Sequence, residues 1–208
     1  MEVTIVIPGV ITVSFLSLFY CCMMPEVGRK DRLEAFEKQY IAHRGFHDNA
    51  SFNPENTMPA FEKAVEKEYG IELDVQLTKD KIPVVVHDYD LKRVAGTARR
   101  IEDCTFEELK NYPLICLGKE TMTWNFYHKL FLSHGLELIR SGQTIPALQD
   151  VLRMVAGRVP LIIELKVERK FRETCEAVAK LLDYYHGTYC IESFSPLALW
   201  WFKHHRPE

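Results

Sequence analysis

Short apolar runs alternate along the chain with longer stretches in which apolar residues recur every three or four positions. The short runs are typical of buried strands, and the three-or-four spacing is typical of amphipathic helices. Strands that alternate with helices indicate parallel β-α units, arranged either as a barrel or as an open sheet. The predicted strands are residues 40–42, 71–77, 82–86, 161–166 and 188–194.

Titratable side chains stand within or just after several of these runs, and unpaired buried charge is costly. Barrels and open α/β sheets carry their sites at the C-terminal ends of their strands. The first run ends in His43-Arg44-Gly45, which is not the G-x-G-x-x-G turn of a dinucleotide site. We therefore expect a site at the strand ends that binds something other than a dinucleotide.

The N-terminal segment 3–24 is apolar over 22 residues and carries no charged side chain. It is long enough to cross about 30 Å of hydrocarbon as a helix, so we expect a single-pass membrane anchor. Arg29, Lys30 and Arg32 follow it, and the positive-inside rule then places the rest of the chain in the cytoplasm. A cleaved secretory signal, which would make the domain extracytoplasmic, and a buried strand or helix are the alternatives.

Composition excludes several function classes. The chain has 208 residues, of which 47% are hydrophobic, and this is sufficient for one sizeable core. The net charge of −3 leaves no basic surface of the kind that nucleic acid requires. The six cysteines form no CxxC pair and no zinc-type spacing, so buried thiols are expected.

The strand 71–77 carries two carboxylates on one face, because Glu72 and Asp74 are two positions apart. Adjacent carboxylates repel unless a cation lies between them, and a hard cation such as Mg²⁺ or Ca²⁺ suits their oxygens. Glu164 is a third carboxylate inside an apolar strand and shares a face with Lys166. Ion pairs with Lys or Arg are the alternative explanation for both groups.

Two histidines stand at predicted strand ends, His43 and His87. Imidazole titrates near neutral pH, so such a pair can act as general base and general acid. A purely structural role is the alternative for each of them. The guanidinium of Arg44 matches two phosphate oxygens at once.

Five motifs follow one another in a fixed order: His43-Arg44-Gly45, Pro54-Glu55-Asn56-Thr57, Glu72-x-Asp74, His87-Asp88 and Glu164-x-Lys166. Each motif alone is weak, but their order and spacing over about residues 40–196 resemble the glycerophosphodiester phosphodiesterase family of phospholipase-C-like enzymes. The resemblance implies a TIM-type barrel with a small inserted subdomain after the third strand, at about residues 89–144.

The resemblance also implies the chemistry of the site. One divalent cation, Mg²⁺ or Ca²⁺, would be bound by Glu72, Asp74 and Glu164. His43 and His87 would form the general acid and base pair.

Further positions are implied around the substrate. The substrate phosphate would be held by Arg44 and Lys166. Glu55, Asn56 and Ser193 would lie at or near the site.

The reaction implied is hydrolysis of a glycerophosphodiester, a small molecule, to glycerol 3-phosphate and an alcohol. The membrane anchor also admits a related phosphodiesterase acting on lysophospholipids. A non-catalytic relative that binds ligands without turnover is the third hypothesis.

A complete barrel of this type has eight strands and about 200 to 250 residues or more, but five strands are predicted here. We therefore expect the domain at residues 40–208 to be an incomplete barrel, in a fragment or a truncated product. Residues 25–39 are expected to link it to the anchor.

Overall fold

The computed structural model describes residues 30–48, 53–116 and 139–206. The predicted anchor at residues 3–24 lies outside these ranges, as does most of the aromatic-rich stretch that begins at Trp124. Within the described ranges, no helix has both the length and the apolar character needed to cross a membrane.

Secondary structure follows the predicted alternation. In chain order the elements are α1 (Lys30–Glu37), β1 (Ile41–His43), α2 (Met58–Glu66), β2 (Gly70–Leu77), β3 (Pro83–Val85), α3 (Lys92–Ala95), a 3₁₀ turn (Ile101–Asp103), α4 (Phe106–Leu109), β4 (Ile115–Cys116), β5 (Ile139–Arg140), α5 (Leu148–Val155), β6 (Leu161–Leu165), α6 (Phe171–Leu182), β7 (Tyr189–Glu192) and α7 (Pro196–His205).

The main sheet has the strand order β1-β2-β6-β7, and these four strands are parallel. Each pair of neighbouring strands is joined through at least one helix, as parallel pairing requires. The predicted parallel sheet is therefore confirmed for the part of the chain that the structure describes.

Strand β2 separates apolar from polar side chains by alternation. Its residues Ile71, Leu73 and Val75 belong to the main core, which is completed by helices α2, α5, α6 and α7. Its even-numbered positions, Glu72, Asp74 and Gln76, are also buried but lie on the opposite face. One face of this strand thus packs into the core, and the other presents polar side chains that can form a site.

The third predicted strand, residues 82–86, is present as β3 but is not one of the parallel barrel strands among which it was counted. Strand β3 pairs antiparallel with the last residues of β2 and is not a fifth parallel strand. Only residues 78–82 connect the two strands. A connection of five residues closes a hairpin, whereas a parallel crossover needs about a dozen residues or more. Strand β6 therefore takes the place beside β2, and the insertion follows a hairpin.

The described part of the insertion packs around a second core. Val84 of β3 and Val86, which directly follows this strand, belong to one cluster with the buried side chains of Leu91, Ile101 and Leu109. Helix α4 belongs to this part of the insertion, and its N-cap residue, Thr105, forms a full capping box with Glu108. The hairpin thus anchors the insertion above the C-terminal edge of the parallel sheet.

Candidate active site

The turn after β1 positions the first site residues. Arg44 has a φ of 57° and Gly45 a φ of 81°, so two successive residues adopt the left-handed region. A Cβ atom at position 45 would lie 2.9 Å from side-chain atoms of both Ala60 and Phe61. Glycine is therefore needed both for the bend and for the close approach of α2.

Three buried carboxylates converge at the C-terminal edge of the sheet. Asp74 and Glu164 are register partners on β2 and β6, and Glu72 lies two residues before Asp74. One oxygen from each of the three lies within 4.8 Å of the others. Parallel register and strand alternation thus bring together the three predicted ligand positions, and the cluster could hold a metal ion.

Two cations lie beside these carboxylates. Arg44 Nε is 3.4 Å from Asp74 Oδ2, and the Arg44 backbone N–H donates to Glu72 Oε2 at 2.9 Å. Lys166 Nζ donates to Glu164 Oε1 at 2.7 Å and lies 3.3 Å from Asp74 Oδ1. The cluster therefore combines three acidic groups with two basic ones, and the predicted phosphate-binding positions join the predicted metal positions.

The carboxyl group of Glu72 is poorly stabilised as an anion. Burial is the main reason why its pKa rises to about 7, and the negative charges of Asp74 and Glu164 raise it further. The hydrogen bond from the Arg44 backbone opposes this rise without cancelling it. Glu72 is thus expected to lose its proton near pH 7 in the metal-free protein.

This shift predicts how pH affects the metal-free protein. Between pH 4.5 and about 7, folded Glu72 keeps a proton that the unfolded chain has released. The free energy of unfolding should therefore fall as pH rises through this window, by up to about 3 kcal/mol. Thermal unfolding with EDTA at pH 5 and pH 8 measures this loss. Glu72→Gln should flatten the profile, and an unchanged profile in that variant would contradict the assignment.

The hairpin brings His87 back to the same edge. Because β3 runs antiparallel to β2, the Val86 backbone N–H donates to the carbonyl of Asp74 at 2.9 Å. Gln76, buried on β2, donates from Nε2 to the carbonyls of Val86, His87 and Asp88 at 3.0, 3.1 and 2.7 Å. Gln76 was not among the predicted site residues. Strand alternation nevertheless places its side chain on the same face as those of Glu72 and Asp74.

The two histidines differ in their surroundings. His43 has a side chain 69% exposed, and its Nε2 lies 3.8 Å from Glu72 Oε2. His87 is more enclosed, and its Nδ1 contacts Asp88 Oδ1 at 2.7 Å. Asp88 accepts the Nδ1 proton in this arrangement, which leaves Nε2 of His87 as the nitrogen available to a ligand.

A further buried carboxylate, that of Glu55, accepts hydrogen bonds from two arginines. Arg44 Nη1 donates to Glu55 Oε1 at 3.0 Å. Arg93 donates to the same carboxylate from Nη2 at 2.6 Å and from Nη1 at 3.1 Å. Burial alone would raise the pKa of Glu55, but the hydrogen bonds and charges of the two arginines lower it. Arg93 was not predicted, because nothing in the local pattern distinguishes it from other loop arginines.

The remaining predicted positions support the site through different contacts. Asn56 Nδ2 donates to Asp74 Oδ2 at 2.9 Å, so this residue does join the cluster. Ser193 is buried, but its hydroxyl donates to the carbonyl of Leu165 at 2.7 Å. Ser193 therefore ties the end of β7 to β6, one residue before Lys166.

Comparison with known proteins identifies the chain. A family model described as the glycerophosphoryl diester phosphodiesterase family matches residues 43–205. The chain belongs to this family. The match contains all ten predicted site positions of this phosphodiesterase family member, from His43 to Ser193.

Individual relatives agree with this membership. A glycerophosphodiester phosphodiesterase of Bacillus altitudinis is 38% identical over 129 residues, which cover 62% of this chain and 44% of that protein. A lysophospholipase D of Homo sapiens is 32% identical over 160 residues, which cover 76% of this chain and 45% of that protein. The chain thus spans less than half the length of these two curated relatives.

Solved structures show the same fold. A phosphodiesterase of Oleispira antarctica, determined with its product sn-glycerol-3-phosphate, superposes with a TM-score of 0.65 at 28% identity. The likeness covers 84% of this chain and 65% of that one. The four parallel strands and their helices therefore correspond to part of a TIM-type barrel of this family.

Proposed function

We propose that this chain hydrolyses glycerophosphodiesters to glycerol 3-phosphate and an alcohol with the help of one divalent cation, Mg²⁺ or Ca²⁺. The observation that carries the proposal is the convergence of Glu72, Asp74 and Glu164 beside Arg44 and Lys166. The relative from Bacillus altitudinis bears this activity in its name, and the Oleispira antarctica phosphodiesterase was determined with that product.

The donor set fits a hard cation. Glu72, Asp74 and Glu164 offer only carboxylate oxygens, the ligands that Mg²⁺ and Ca²⁺ prefer. Asp74 Oδ1 is buried and accepts no hydrogen bond among the described residues, so it has capacity for a ligand bond. A bound cation would offset the negative charge that develops on the phosphoryl oxygens.

Arg44 and Lys166 are proposed to hold the phosphate. Without a substrate, both cations neutralise carboxylates of the cluster. Once those carboxylates bind a metal, the two side chains can direct part of their donor capacity to phosphate oxygens. Arg44 Nε is buried without a hydrogen-bond acceptor in the described structure, so it has a donor to offer.

The two histidines are proposed to move the protons. One accepts a proton from the attacking oxygen, whose bond to phosphorus forms as the bond to the leaving alcohol breaks. The other donates a proton to the departing alkoxide, so the net reaction consumes one water. His87 is oriented for such a role by the contact between its Nδ1 and Asp88.

Lysophospholipids are a second substrate class. The 32% identity to a lysophospholipase D over 160 residues favours this alternative. Segment 3–24, proposed as a single-pass anchor with the domain in the cytoplasm, would hold the site near lipid substrates. A binding protein without turnover is the remaining alternative.

The test uses the purified full chain, stripped with EDTA and then supplied with Mg²⁺ or Ca²⁺. Glycerophosphocholine and lysophosphatidylcholine are offered in parallel, and the products are separated by mass. We expect metal-dependent release of glycerol 3-phosphate from the first substrate. Release of choline and a lysophosphatidic acid from the lysophospholipid, without turnover of glycerophosphocholine, would select the second class. Metal binding without either product would leave only the binding protein.

A further inference from the structure

We propose that Arg93 is a positioning residue that sets the side chains of His87 and Arg44 for the reaction, an inference that rests on the function proposed above. Arg93 lies on α3, within the insertion and outside all five motifs. Its guanidinium contacts two carboxylates, Asp88 and Glu55. Each of these carboxylates contacts one of the predicted reaction residues.

The first branch leads to His87. Arg93 Nε donates to Asp88 Oδ2 at 2.6 Å, and the other oxygen of Asp88 contacts His87 Nδ1 at 2.7 Å. Arg93 thus holds the carboxylate of Asp88 in place, and this carboxylate in turn orients the imidazole of His87. A carboxylate at Nδ1 selects the tautomer whose Nε2 can accept a proton, so the ring direction and the proton position both depend on Arg93.

The second branch leads to Arg44. Two nitrogens of Arg93 contact the two oxygens of Glu55, and Glu55 Oε1 also accepts from Arg44 Nη1. Two arginines therefore share one buried carboxylate. Without Arg93, the Glu55 carboxylate can turn toward Arg44 and draw that side chain away from the substrate phosphate.

Only a guanidinium fits both branches at once. Nε contacts Asp88, while the two terminal nitrogens contact Glu55 as a fork. The planar group holds these three donors at fixed angles, which the ammonium of lysine cannot do. Hydrogen bonds from Arg93 and His87 also lower the pKa of Asp88, although burial alone would raise it. The negative charge opposite His87 is thereby retained.

The loop that carries His87 has a separate support. Gln76 holds three successive backbone carbonyls of this loop, and Leu91 is fully buried in the second core. Loss of the Arg93 side chain should therefore leave the backbone in place. The expected defect lies in the orientation of side chains and not in folding.

The kinetic test compares Arg93→Gln with Lys92→Gln in the full chain. Lys92 is the exposed neighbour on the same helix and loses the same charge. With glycerophosphocholine and Mg²⁺, Arg93→Gln should lower kcat about 10- to 100-fold. Lys92→Gln should stay within about twofold of the parent. Arg93→Lys should recover less than half of the lost rate, because charge alone does not restore the fork.

A spectroscopic arm decides the inference even if the parent protein is inactive. The ¹⁵N resonances of the His87 ring, assigned by comparison with His87→Asn, should report one fixed tautomer in the parent. In Arg93→Gln they should shift toward the average of the two tautomers. A folded Arg93→Gln protein with the parent kcat, or with an unchanged His87 spectrum, would overturn the role of Arg93. An inactive parent with the expected spectral change would instead contradict only the proposed function.

Discussion

Glu164→Gln is expected to lower metal-dependent turnover of glycerophosphocholine about 10³-fold. Glu164 supplies one of the three oxygens that converge within 4.8 Å of one another. Loss of its charge weakens the proposed metal site, and a metal contributes several kcal/mol to transition-state stabilisation. Each 1.4 kcal/mol or so corresponds to a factor of ten in rate. Initial rates over a range of Mg²⁺ concentrations measure the effect.

The substitution separates metal binding from packing. Glutamine has nearly the same volume as glutamate and keeps one side-chain oxygen. That oxygen can still accept the hydrogen bond that Lys166 Nζ donates to Glu164 Oε1 at 2.7 Å. Glu176→Gln is the control, since Glu176 is exposed on helix α6 and lies outside the strand edge that carries the cluster. We expect less than a threefold change there. Unchanged metal affinity in Glu164→Gln, measured by calorimetry, would show that the three carboxylates are not the metal site.

His43→Ala and His87→Ala should each reduce kcat by about 10²- to 10⁴-fold, the range typical of general acid–base catalysis. Metal affinity should remain mostly intact, because the proposed metal ligands are three carboxylates and neither histidine is one of them. The reduction in kcat of the double variant should be smaller than the product of the two single reductions, since both histidines act in one reaction. Single-turnover rates and calorimetric Mg²⁺ affinities measured on the same preparations check both statements.

His186→Ala provides the control for this pair. His186 is exposed and precedes β7, at the opposite edge of the sheet from the site. Its replacement should leave the rate within about twofold of the parent. If His43→Ala or His87→Ala retained the parent kcat with bound metal, that histidine would have no part in proton transfer.

The carboxylate cluster was predictable because strands impose simple geometry. Alternation places Glu72 and Asp74 on one face, and parallel neighbours bring Glu164 into register with Asp74. The direction of β3 was predictable too, since five residues cannot form a parallel crossover. The sequence prediction nevertheless counted residues 82–86 among the strands of the barrel.

Local sequence patterns could not predict the polar contacts between residues far apart in the chain. Arg93 and Glu55 are 38 positions apart, and their contact requires the insertion to fold back over the sheet. Gln76 was accessible in part, because alternation places it beside Asp74 on the polar face. Its three carbonyl partners depend on the hairpin and could not be inferred. Ser193 shows the opposite case: the resemblance implied a position near the site, but its hydroxyl donates to the backbone carbonyl of Leu165.

The most direct test of the account is anomalous diffraction from crystals of the full chain grown with Mn²⁺ and glycerol 3-phosphate. We predict one Mn²⁺ peak within about 2.0 to 2.4 Å of oxygens from Glu72, Asp74 and Glu164, with the phosphate beside Arg44 and Lys166. A peak bound by other residues, or no peak at this cluster in protein that is catalytically active with Mn²⁺, would contradict it.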